Sequence, residues 1–307
     1  MTVQFSDPVP PGAPLLLAPL FPDAFGYRLD SFEVEHGEVV DQLRTINSAQ
    51  EAYLIRPTAA PMRPILHYRL EAFDGDPPEW IWTPPRTRYV IPSAELQGFI
   101  TKLVQGASNE AEALQRIVDH AADHFWYGHG PGSLMEGRAD VPLLTKPTRG
   151  HCLDMHGYCV AACRAAGLTA AYTAGFWFKE GSDRAPGMHC WFVARVDGQI
   201  VHYDVAHQLK LPTRPVLPGL NPVPGVRFLA AVGKGLRLPF AGSVLELAHF
   251  ARFIWLTDDG REHHPAHALL LDAKPTGADR LSPEGPGCGW AGKLLRASTA
   301  ERNSTGD

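Results

Sequence analysis

Cys152, His189 and Asp204 are the residues whose types, order and settings point to chemistry. Cys152 follows Gly150 and His151 and opens an apolar run, CLDMHGYCVAACRAAG, which reads as a helix ended by Gly167. Unpaired backbone N–H groups and the helix dipole at such a first turn favour a thiolate, lowering the thiol pKa from its free value of about 8.5. The segments HCWFVARV and QIVHYDVA flank Asp197 and Gly198, a two-residue hairpin signal. A two-residue turn sets Val196 opposite Gln199 and Asp204 opposite Trp191. His189 and Asp204 then share a face as a diagonal pair, about 7–8 Å apart at the backbone. In that register His189 takes the thiol proton and Asp204 fixes the imidazole tautomer, the logic of a triad with cysteine as nucleophile.

The other candidates read as structural. Cys159 and Cys163 fall on the same apolar helix, where a free cysteine behaves as a small hydrophobe. His156, His202 and His207 are read as ordinary structural histidines. A metal site made of Cys152, His156, Cys159 and Cys163 alone is excluded by geometry, and the alternative left open is the i, i+4 pair Cys152 and His156 joined by outside ligands such as His189. The four lie at helical spacing with their ends about 16 Å apart, whereas zinc ligands converge within about 2.3 Å of one ion. No metal or cofactor is expected.

The elements that must position these residues are sparser in signal. Short β-rich runs between Pro14 and Ser93 (FEVEHGEVV, EAYLIR, ILHYRLEAF, EWIWT and RYVI) are separated by proline, glycine and aspartate clusters, predicting an N-terminal antiparallel β-rich domain over 1–93. Two helices follow, about Ala94 to Gln105 and Glu110 to Phe125, the second opened by Asn109 with Glu112 three residues on. The glycine- and proline-rich loop from Trp126 to Arg149 leads straight into Cys152, and a loop of this length is expected to border the site. The catalytic unit is expected over 94–297, with a proline-rich C-terminal extension and a helical run at about Val244 to Phe253. A disordered tail is expected over 298–307.

Composition removes several classes of function. The chain has 28 Lys and Arg against 33 Asp and Glu, a formal charge of −5. The basic residues form no tract that would track a phosphate backbone, so nucleic acid is not expected as a partner. The N-terminus lacks a charged lead-in to an apolar run, so neither a secretion signal nor a membrane span is expected. Five cysteines in 307 residues are too few for a disulfide framework, and a reducing cytoplasm is the expected location.

The pattern resembles the transglutaminase-like superfamily. The resemblance is carried by Gly150, Cys152 and Asp154, by Arg164 and Gly167, by His189 and Trp191 in HCW, and by Asp204 in HYD, over roughly Ala94 to Leu211. The β-rich segment ahead of it resembles the N-terminal β-domain of many bacterial members. The resemblance implies an α+β, papain-like core and acyl transfer through a thioester on Cys152. It further implies an oxyanion held by the Cys152 backbone N–H and a second donor upstream, for which Trp126 and Tyr127 are candidates, with Trp191 as a substrate-lining candidate. The implied partners are a peptide, protein or small-molecule acyl donor and, for transfer, an amine acceptor. His151 and Leu153 stand where cross-linking transglutaminases carry Gln and Trp beside the cysteine. Arylamine N-acetyltransferases share the triad order and an Arg-Gly near the cysteine, and a catalytically inactive peptide-binding module on the same fold is the non-enzymatic alternative.

Overall fold

Strand-forming residues dominate the first quarter of the chain. The computed structural model describes residues 1–10, 12, 15–58, 63–130, 133–185, 187–212, 215–218, 225–257 and 261–272. Six strands come first: β1 (Thr2–Phe5), β2 (Leu15–Pro19), β3 (Tyr27–Glu35), β4 (Gly37–Arg44), β5 (Glu51–Pro57) and β6 (Ile65–Ala72). The expected run FEVEHGEVV breaks at His36, whose φ of 58° turns the chain, so that β3 and β4 enter different sheets. EWIWT and RYVI do not form strands. The first becomes a 3₁₀ turn, Glu79–Ile81, because Pro78 fixes φ at −59° and the Trp82 N–H closes on the Glu79 carbonyl. The second folds as a turn, its Val90 N–H donating to the Thr87 carbonyl.

The helices match their sequence signals. In α1 (Ala94–Leu103) the Ser93 hydroxyl caps the Leu96 N–H at 3.2 Å, and in α2 (Glu110–His124) Asn109 caps the Glu112 N–H at 2.8 Å. Glu112 reaches past Asn109 to the N–H of Ser108, also at 2.8 Å. Two three-residue strands, β7 (Phe125–Tyr127) and β8 (Thr148–Gly150), pair in parallel with Tyr127 beside Gly150. They bring both ends of the glycine-rich loop to the start of α3 (Cys152–Ala165). Helix α3 is buried on all sides from Asp154 to Cys163, which explains its apolar, non-amphipathic sequence.

The remaining strands are β9 (Thr169–Lys179), β10 (Arg184–Ala185), β11 (Met188–Val196), β12 (Gln199–Tyr203), β13 (Gly225–Val232), β14 (Leu236–Phe240), β15 (Ser243–Leu247), β16 (Ile254–Leu256), β17 (Glu262–His263) and β18 (His267–Leu270), with a short helix α4 (Val205–Gln208) after β12. An antiparallel sheet in the order β12-β11-β9-β13 packs against α3. The two N-terminal sheets are completed from the far end of the chain, in the orders β10-β18-β1-β6-β3 and β17-β16-β2-β5-β4. The architecture is α+β. The helical run expected at Val244 to Phe253 is instead a β-hairpin arm, β15, as far as Leu247 and bends and turns beyond it. Ala241 and Gly242 both take positive φ, 48° and 76°, and pair Phe240 with Ser243 in a tight turn. Residues 213–214 and 219–224 of the proline-rich stretch, Cys288 and the expected tail from Ser298 lie outside the described residues. Among the described residues no helix is long and apolar enough to cross a membrane.

Candidate active site

Cys152 is the first residue of α3, capped by His151, whose backbone N–H donates to the Asp154 carboxylate at 3.3 Å. Asp154 also accepts from the Ser133 hydroxyl at 2.7 Å and the Leu134 N–H at 3.0 Å, which ties the loop to the first turn of the helix. The Cys152 thiol is held well below the usual thiol range. Its hydrogen bond with Cys190 contributes most. Burial opposes the shift, while a hydrogen bond to His189 and the positive charge of that ring reinforce it. The Cys190 thiol is pushed up by burial and keeps its proton, so it is suited to donate to a Cys152 thiolate.

His189 lies on β11, directly across from Gly175 of β9. Its Nε2 sits 2.7 Å from Asp204 Oδ2, leaving Nδ1 as the ring nitrogen available to the thiol. Burial disfavours the imidazolium, but the Asp204 charge and the hydrogen bonds to Asp204 and Cys152 outweigh it and raise the pKa. The hairpin register is as the turn signal predicts, Val196 opposite Gln199 and Phe192 opposite Tyr203. The strand ends one residue early, however, so Asp204 does not pair with Trp191. It leaves the sheet and caps α4, accepting the His207 N–H at 3.0 Å. Burial alone would raise the Asp204 pKa, but His189 and Arg227 hold it well below the carboxylate range.

Two further residues complete this cluster. His207 stacks on His189 with ring centroids 4.1 Å apart, and its Nδ1 lies 3.0 Å from Asp204 Oδ2. Arg227 of β13 is buried, donates to Asp204 Oδ2, lies 3.2 Å from His207 Nδ1 and covers the Trp191 ring at 5.6 Å. His207 had a local signal, being three residues after Asp204 across a helical turn. Arg227 had none, because only the β13–β9 pairing brings it there. His189, Asp204 and His207 would group three ligand atoms within 4.8 Å of one another. The Arg227 guanidinium already lies against two of them, and a second cation there would face its charge directly.

The remaining candidates are distributed as follows. Tyr127 is half-buried. Its phenol donates to or accepts from His129 Nε2 at 2.9 Å, and its pKa is pushed up to about 12, by burial first and then by Cys152, Cys190 and Asp204. Trp126 projects to solvent, 52% exposed, which does not suit it to hold an oxyanion. Trp191 is buried beneath Arg227 rather than lining open space. Cys159 and Cys163 are fully buried with thiols pushed up by burial, as expected of hydrophobes. His156 is wholly buried with Nε2 3.8 Å from Asp204 Oδ1, and His202 packs edge-on against Phe25. The loop after Tyr127 walls a cavity of about 270 Å³ bounded by Gly128, Gly130, Ser133, Leu134, Arg149, Gly150, His151 and Asp154.

A helix-borne thiol, a strand-borne imidazole and a buried carboxylate on an α+β core define a cysteine-dependent enzyme. Residues 97–205 match the family model described as the transglutaminase-like superfamily. No curated protein sequence matches the chain. Among solved structures it is similar to a candidate cysteine protease from Cytophaga hutchinsonii, at 16% identity and a TM-score of 0.46, with 92% of each chain covered. It is also similar to the periplasmic domain of TgpA from Pseudomonas aeruginosa, at 13% identity and a TM-score of 0.36, covering 68% of this chain and 87% of that one. Red sea bream transglutaminase aligns at 10% identity and a TM-score of 0.26, over 81% of this chain and 60% of that one.

Proposed function

We propose that the protein cleaves or transfers acyl groups through a thioester on Cys152, with His189 as base and acid and Asp204 as its orienting carboxylate. One observation carries this reading: the Cys152 thiol meets His189 at the first turn of α3 while Nε2 of that ring is 2.7 Å from Asp204. The opposed shifts of Cys152 and His189 favour a thiolate–imidazolium pair. The thiolate attacks the acyl carbonyl carbon. The His189 imidazolium protonates the departing amine or thiol as the tetrahedral intermediate collapses to the thioester. Water or an acceptor amine then attacks the thioester, giving its proton to His189, and the Cys152 thiolate leaves. The Cys152 N–H, at the first helical position, has no partner within the helix and is suited to the developing oxyanion. The donor is a peptide, a protein or a smaller acyl compound. A reducing compartment belongs to the proposal, since Cys152 must remain a thiol.

Limiting iodoacetamide at neutral pH, read by peptide mapping, tests the nucleophile, and intact mass after incubation with a panel of thioesters and activated esters tests the acyl-enzyme. Preferential labelling at Cys152 and an acyl adduct absent from Cys152→Ala are expected. Preferential labelling of Cys159, Cys163, Cys190 or Cys288 would overturn the assignment.

A further inference from the structure

Arg149 stands three residues before Cys152, at the wall of the 270 Å³ cavity. Its side chain runs along two glycines. A Cβ on Gly128 would come within 3.1 Å of Arg149 Cγ and Cδ, and one on Gly130 would fall onto the guanidinium itself. The spacing of Gly128 and Gly130 thus clears a track in which the guanidinium lies extended. Among the described residues the Arg149 side chain has no hydrogen bond and no ion pair, its backbone alone pairing with Trp126 in the β7–β8 ladder. The one carboxylate in the cavity, Asp154, is already engaged by Ser133, Leu134 and the His151 backbone, with His151 Nδ1 a further 3.2 Å away. His129 lies beside His151, ring centroids 6.1 Å apart, and Lys210 covers the Tyr127 ring at 4.1 Å. Among the described residues that line the cavity, the one carboxylate is therefore already engaged while the Arg149 guanidinium is not.

We propose that this recess is a subsite for a carboxylate carried by the acyl donor, with Arg149 as its anchor. The inference rests on Cys152 being the nucleophile. The exposed, unpaired guanidinium laid along Gly128 and Gly130 matches the two oxygens of a carboxylate. A volume of about 270 Å³ admits a group the size of one amino acid rather than a whole drug-sized ligand, which needs about 300–1,000 Å³. The donor class is an acyl compound with a free carboxylate near the reacting carbonyl, such as a peptide with an acidic residue or a free C-terminus beside it.

The test uses matched alkylating probes, N-iodoacetyl derivatives of glycine, β-alanine and 4-aminobutyrate, each against its terminal carboxamide. Second-order rates of Cys152 alkylation are read by intact mass and peptide mapping in the wild type, Arg149→Gln and Arg149→Lys. For at least one spacer the carboxylate probe should react about tenfold faster than its amide in the wild type. That ratio should fall to about one in Arg149→Gln and lie between the two in Arg149→Lys, with amide-probe rates unchanged throughout. A wild-type ratio of one or less at every spacer, a ratio that survives in Arg149→Gln, or an equal loss of both rates in that variant overturns the anchor alone. Failure of the amide probes to label Cys152 selectively overturns the nucleophile assignment, and the subsite with it.

Discussion

At the scale of single residues, the Asp204 carboxylate is the point on which the cluster converges. His189, His207 and Arg227 all approach it, and two of its contacts, to His189 and to Arg227, join the base to a buried cation. Replacing Asp204 by Asn keeps the shape but removes the charge that holds the His189 pKa up. The Cys152 thiolate then loses its imidazolium partner. Acylation of wild-type Cys152 by an amide donor, which needs both the thiolate and the His189 proton, should follow a bell in pH, with an acid limb below the ordinary thiol value and an alkaline limb above about 6.5. In Asp204→Asn the limbs should close toward each other and acylation should drop on the order of 100-fold or more. Unshifted limbs would remove Asp204 from the mechanism. Cys152, His189 and Asp204 were legible in the sequence because a helix start and a two-residue turn are local signals. Cys190, though adjacent to His189, gave no sign of meeting Cys152, since that contact depends on how α3 sits on the sheet.

At the scale of elements, Gly175 decides how the sheet carries the site. It lies between His189 of β11 and Leu229 of β13, where β13 bulges between Leu229 and Ala231. A Cβ on Gly175 would be driven into the Phe228 carbonyl and sit 3.0 Å from the Ala230 nitrogen, so β13 must shift to admit it. Because Arg227 is on that strand, Gly175→Ala should cost about 1–3 kcal/mol of stability by overpacking and slow Cys152 acylation together. Denaturant unfolding and alkylation rates check this. A variant with wild-type stability and rate would show that β13 yields freely. The elements bearing the site were readable from caps and turns, whereas the 3₁₀ turn at Glu79–Ile81 and the strand at Ser243–Leu247 were not. In the first case two prolines overrode a β-rich composition. In the second, the left-handed Ala241 and Gly242 redirected residues of acceptable helix propensity into a hairpin.

At the scale of the whole molecule, the chain closes on itself. Strands β16 to β18 complete the two N-terminal sheets, and β10, just ahead of His189, pairs with β18. The Tyr27 hydroxyl of β3 donates to the Leu229 carbonyl of β13, and Phe176 of β9 stacks on Phe253 at 5.9 Å. Such sequence-distant pairings leave no local pattern, which is why the far strands were not legible. One core thus encloses several titratable groups. His156 and His120 are both buried, and burial is the first cause pulling each pKa down to about 4 from the ordinary 6.5. Their folded forms are neutral at a pH where the unfolded chain already binds protons. Stability from these groups is therefore full above about pH 6.5 and is lost as pH falls toward 4. His189 acts in the opposite sense. Its raised pKa stabilises the fold below about 6.5, and that share fades as pH rises through its folded value. Asp204, held low, contributes above its unfolded value of about 3.9. His202 and His249 are pulled down by burial in the same way, to about 4 and about 3, so the depressed histidines outnumber the raised one and the urea midpoint should fall between pH 7 and pH 4.5. His156→Gln should lessen that fall while lowering the midpoint at pH 7. A midpoint constant across this range, or a variant with the wild-type slope, would mean that the buried imidazoles do not govern the stability of the fold.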